Sequence, residues 1–254
     1  MRNILTIAGK DLRSSFVTPL AYIVMTGFVL ASGFFFFLLL KYFNSAIEQA
    51  RMFQNVAPSL NELVVEPYYQ TLLVVLVFMV PLLTMRSLAE EKQRGTYELL
   101  ATSPVSAAEL VLGKYLGIVG VVTVALLLSF VFPLVLIIFS DPEIQPIYIG
   151  FLGLLLFALS FAAIGLSLSA LTSSQTVAGF LGMVLFLILF VIDAPAGKLE
   201  GAMADFLKYV SPTNRVEILL KGVLEGGSLV YFGSMILLGL FMTTRVLEYQ
   251  RQRG

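Results

Sequence analysis

Residues able to do chemistry are scarce in this chain, and their placement is informative. Histidine and cysteine are both absent from its 254 residues. That removes the commonest metal ligands, thiol or imidazole nucleophile pairs and any Ser-His-Asp triad. No catalytic residue, metal or other cofactor is expected, and no nucleic acid, because the net charge is zero and the basic residues form no dense cluster. Three Gly-Lys dipeptides begin like a phosphate-binding loop. However, Gly9-Lys10 runs into Asp11, Gly113-Lys114 into Tyr115 and Gly197-Lys198 into Leu199, never into the Ser or Thr that such a loop uses on Mg²⁺.

The one concentrated polar strip runs from Arg86 to Lys114 and carries charges of both signs. Glu90 and Arg94 are four apart, the favourable order for a helical ion pair, and Gly95 then ends that helix. Glu91 lies beside Glu90, and a second short helix is expected over Thr96 to Thr102, with Tyr97, Leu100 and Ala101 on one face and Glu98 and Leu99 between them. Such a face fits a groove on a soluble partner; the other reading is a solvated loop resting on neighbouring helices. After Pro104-Val105, Ser106 and Glu109 have capping-box spacing, which starts a new helix.

The elements that must hold this strip are membrane spans. The chain is 58% hydrophobic and 13% charged, against about 25% charged in ordinary soluble domains. Residues 14–40, 67–85, 115–140, 144–192 and 226–244 contain no charge at all. A bilayer core needs roughly 20 apolar helical residues, and the stretch 144–192 is divided by the polar turn Thr172-Ser173-Ser174-Gln175-Thr176. Six spans result, about 19–40, 67–87, 110–139, 147–171, 176–194 and 228–247, in a single all-α membrane domain covering 1–254. Pro81 should disturb the second near its end. The apolar stretch after Pro19 is too long for a cleaved signal and ends in Lys41-Tyr42-Phe43, so it reads as a retained span.

With both termini cytoplasmic, ten of the sixteen Lys and Arg residues fall inside, as the positive-inside rule favours. Residues 1–18 place Ile4, Leu5, Ala8, Leu12 and Phe16 at helical spacing, an amphipathic helix lying in the interface plane. Between spans, 41–66 is expected to form a short amphipathic helix on the outer surface, and 193–228 another at 213–224. No span carries a charge near its middle, so coupling to an ion gradient is not expected.

The strip Glu90-Glu91-Lys92-Gln93-Arg94-Gly95-Thr96-Tyr97-Glu98-Leu99-Leu100, with Pro104-Val105 and Leu112-Gly113-Lys114, resembles the permease subunits of type-2 ABC transporters, in particular the gliding-motility-type branch. Weaker matches flank it: Lys10-Asp11-Leu12-Arg13-Ser14 with Pro19-Leu20-Ala21-Tyr22, Ala163-Ile164-Gly165-Leu166, and Gly222-Val223-Leu224. Asn214 and Arg215 stand where that branch carries a histidine followed by aromatics. The resemblance implies a non-enzymatic, multi-pass protein of the bacterial inner membrane. It further implies two cytoplasmic ATPase subunits as partners, with a second permease copy. Glu90, Glu91, Arg94, Gly95, Thr96, Tyr97, Glu98, Leu99, Leu100 and Pro104 would then form the ATPase-coupling element of a segment 88–105. A scaffold that anchors a complex without transporting anything is the alternative.

Small residues four apart, Gly113 and Gly117, Ala163 and Ser167, Gly165 and Ser169, Ala178 and Gly182, could line a path, although close helix packing is the favoured reading. Ser129, Ser160, Ser167 and Ser169 could do the same, or bond within their own helices.

Overall fold

The computed structural model describes residues 2–53, 59–96, 105–140, 142–197 and 201–253, and among them every regular element is helical. The chain opens with α1 (Arg2–Val17) and α2 (Pro19–Met52). Five π-helical residues, Asn61–Val65, lead into α3 (Glu66–Thr84), and α4 (Ala89–Gln93) follows it. Next come α5 (Ala107–Ser140), α6 (Ile144–Leu171) and α7 (Gln175–Val191). Two short helices, α8 (Ala202–Val210) and α9 (Pro212–Leu220), precede the last, α10 (Gly226–Arg253).

Among the described residues, five helical stretches are long and apolar enough to cross a membrane: α2, the run from Asn61 to Gln93, α5, α6 and α10. The sixth apolar helix, α7, has 17 residues, a rise of about 25 Å. Helices α2, α3, α5, α6, α7 and α10 alternate in direction. One end of the bundle gathers α1, α4, the start of α5 and the ends of α6 and α10, and the other gathers α8, α9 and the start of α6.

The helix α6 is the hub, packing against α3, α5, α7, α9 and α10. Its small residues make that possible. A side chain at Gly150 would strike the Tyr69 ring, at Gly153 the Leu219 side chain and at Gly165 Thr84, and one at Gly239 of α10 would lie 2.7 Å from the Ala163 backbone. Polar groups inside the bundle are satisfied across helices: the Tyr68 hydroxyl pairs with Ser32 Oγ at 2.5 Å and donates to the Ser129 carbonyl at 2.8 Å. Tyr69 donates to the Ile147 carbonyl at 2.8 Å. In hydrocarbon an unpaired hydroxyl would cost several kcal/mol.

The outward faces are apolar. Ile23, Leu30, Phe34 and Phe37 on α2, Leu127 and Val131 on α5, Phe180 and Ile188 on α7, and Val230, Leu237 and Phe241 on α10 are all exposed. A continuous apolar belt of this kind is stable against lipid and not against water.

Three expectations are corrected. The first helix does not stop near Leu40, and residues 41–52 form no separate helix. With no breaker between Lys41 and Met52, and with Ala46, Glu48, Gln49 and Ala50 favouring helix, α2 continues for 34 residues. Among the described residues the segment 193–228 holds a 3-10 turn at Ala194–Gly197 and two α-helices, α8 and α9, broken at Ser211-Pro212; the second ends at Leu220, ahead of Gly222 with φ +82°. The second long helix begins at Asn61, six residues ahead of its expected start.

Candidate functional site

The strip after α3 is hydrogen-bonded to three other elements, α5, α6 and α10. Its helix α4 begins where Ser169, near the end of α6, offers its hydroxyl: Leu88 N–H and Ala89 N–H donate to Ser169 Oγ at 3.1 and 3.0 Å, and that hydroxyl donates to the Met85 carbonyl at 3.2 Å. Ser169 is thus an N-cap supplied from another helix, and satisfies donors that every helix start leaves unpaired. At the other end Gly95 adopts φ +71°. Its N–H donates to the Lys92 carbonyl at 3.1 Å and the Thr96 N–H to the Glu91 carbonyl at 3.0 Å, a Schellman ending that glycine alone adopts without strain.

The expected Glu90–Arg94 pair forms at 2.5 Å. Arg86 joins it, placing Nε 2.8 Å from Glu90 Oε2 and Nη2 3.2 Å from Oε1. The Arg86 hydrogen bond holds the Glu90 carboxyl below its ordinary value. Lys92 Nζ donates to the Ala170 carbonyl at the end of α6, which Gln250 of α10 also reaches at 3.3 Å. A cation there meets the negative end of the α6 dipole, while burial pushes the Lys92 ammonium down to about 8.

Beyond the break the chain re-enters helix at Ala107. The capping box forms as read: Glu109 N–H donates to Ser106 Oγ and Ser106 N–H to Glu109 Oε2, both at 3.2 Å. Arg251 of α10 donates to the Val105 carbonyl at 2.9 Å. Tyr97, Glu98, Leu99, Leu100 and Pro104, and the second helix expected over 96–102, lie outside the described residues.

Sequence reasoning missed the residue around which this end is organised. Lys114, in the third turn of α5, has a side chain only 3% exposed; its Nζ lies 2.8 Å from Glu91 Oε1 and 3.3 Å from Asp11 Oδ2. In sequence it stands out only as the end of the polar strip and of Leu112-Gly113-Lys114. Asp11 comes from α1, which lies lengthwise along α5 in the same direction. Side chains at Gly113, Gly117 and Gly120 would strike Ile7, the Asp11 Cβ and Leu12 respectively. The small residues of α5 therefore seat α1, which settles their role as close packing. A cleft of about 410 Å³ opens beside the cluster, bordered by Lys10, Ser14, Arg86, Glu90 and Thr96.

Ser129, Ser160 and Ser167 each donate to a carbonyl of their own helix, and Ser160 also bonds to Phe232 of α10.

A family model described as ABC-2 family transporter protein matches residues 5–247 of the chain. No curated protein matches it significantly.

Proposed function

The chain belongs to the ABC-2 family of transporter proteins, and from that premise we propose that it is the permease subunit of an ATP-driven transporter. It is a multi-pass membrane protein and a transport component, not itself a catalyst, and membership implies partnership with an ABC ATPase. We further infer six crossings, with α7 as the short fifth, both termini cytoplasmic in a bacterial inner membrane, and an assembly of two permeases with two ATPases. We also infer, from the resemblance of Glu90–Leu100 and its flanks, the gliding-motility-type branch, and export as the direction.

ATP hydrolysis in the partner would reach the membrane through the segment 88–105. One observation carries this reading: the segment is a capped, ion-paired element bound directly to α5, α6 and α10, and through Lys114 of α5 it meets Asp11 of α1. A solvated loop would need none of these ties. Displacing such an element tilts helices as rigid bodies, the usual way a lever opens a path on alternate sides. A scaffold without transport remains the second reading.

The test is co-purification with the P-loop ATPase from the same cell, followed by ATP hydrolysis in reconstituted vesicles. The chain alone should hydrolyse nothing. Deleting 95–100 should leave the protein inserted and release the ATPase; retention of a coupled ATPase after that deletion would overturn the assignment.

A further inference from the structure

We propose that Lys114 is a positioning residue: it locks the segment 88–96, the helix α1 and the first turns of α5 into one unit, so that a push on the segment is delivered to α5. The proposal rests on the coupling role given above to 88–105 and names the residue through which that role is exercised.

Its three charges come from three elements. Asp11 is 103 residues and Glu91 is 23 residues from Lys114 in sequence, so no local preference brings them together. Burying an ammonium costs several kcal/mol unless acceptors replace its water, and here two carboxylates do so. An apolar side chain of similar volume would fill the same space at no such cost. What the ionic arrangement adds is direction: apolar faces can slide past one another, whereas a charge held between two carboxylates must keep both in place. The glycines of α5 are part of the device, because a side chain at Gly117 would lie 2.9 Å from the Asp11 Cβ and push that carboxylate away. Within α4 the labour is divided. Glu90 is engaged by Arg86 and Arg94, which leaves its neighbour Glu91 to face Lys114.

The chain has no cysteine, so spin labels can be placed at will. Arg13 on α1 and Gln93 on α4 are both exposed. In nanodiscs the Arg13→Cys/Gln93→Cys pair should give a single narrow distance. Lys114→Met should lose that single distance and Lys114→Arg should recover it. Glu91→Gln, which leaves Lys114 paired with Asp11, should lose it as well and serves if Lys114→Met fails to fold. A narrow, unchanged distance in the folded Lys114→Met or Glu91→Gln protein would overturn the proposal.

A second pair, Leu116→Cys on α5 and Val177→Cys on α7, at residues that are both exposed, reads transmission. It is measured in the complex with the ATPase, trapped with ATP and orthovanadate. Trapping should shift this distance in the otherwise unaltered chain and in Lys114→Arg, and should not in Lys114→Met with the ATPase still bound. An equal shift in Lys114→Met would overturn the positioning role. No shift in the otherwise unaltered chain would overturn the coupling reading instead, and the first pair, read without ATPase, would still decide whether the lock exists.

Discussion

Ser169 holds the start of α4 from a helix outside the strip. Replacing it by Ala strands the Leu88 and Ala89 amides, and loss of an N-cap costs about 1 kcal/mol. Hydrogen exchange over 86–94 in the S169A protein should therefore speed up by about fivefold, while S129A, whose hydroxyl only bonds within its own helix, should leave that peptide unchanged. The Glu90 carboxyl supplies a pH signature. Its value is lowered, chiefly by Arg86, so its contribution to holding α4 is complete above the ordinary glutamate value of about 4.3 and disappears only as pH falls below that through the lowered one. Exchange in the same peptide should be constant from about pH 7, below the titration of Lys92, to about pH 5 once corrected for the intrinsic rate, and R86M should abolish most of the acid dependence.

Local signals were legible where the partners are near in sequence. The capping box at Ser106 and Glu109, the Glu90–Arg94 pair and the break at Gly95 all formed as the spacing indicates, because each depends on residues within four positions. Lys114 and Ser169 were not legible as site residues. The caps and carboxylates they meet lie tens of residues away, and only the bundle brings them together.

At the scale of elements, the helices approach as closely as their glycines allow. Introducing a methyl at Gly239, which would meet the Ala163 backbone at 2.7 Å, should force α6 and α10 apart and destabilise the protein by about 1–3 kcal/mol. At Gly233, with nothing within 4 Å, the same change should stay within about 0.5 kcal/mol. Thermal unfolding of G239A and G233A in detergent, followed by monodispersity, compares the two directly. The extent of α2 was misjudged because loss of hydrophobicity after Leu40 marks where a span meets water, not where a helix ends; backbone hydrogen bonding continues to Met52. The break at Ser211-Pro212 separates α8 from α9, and the first of these has an exposed apolar flank, Met203, Phe206 and Tyr209. In sequence this flank is obscured by Asp205 and Lys208.

For the whole molecule, composition alone marked a multi-pass helical membrane protein, since more than half of the chain lies in charge-free stretches. It could not show that α6 is the hub, because the apolar stretches look alike until their small residues are matched to the side chains they admit. Among the described residues, a tied polar surface joins α1, α4, α5, α6 and α10 at a single end of the bundle.

The central claim is that this end faces the cytosol and receives an ATPase. A single cysteine at Gln93, an exposed position on α4, tests it with a membrane-impermeant maleimide. Labelling is expected in inverted membrane vesicles and not in intact cells, and bound ATPase should block it. Labelling in intact cells, or labelling in inverted vesicles that bound ATPase leaves unchanged, would contradict the account.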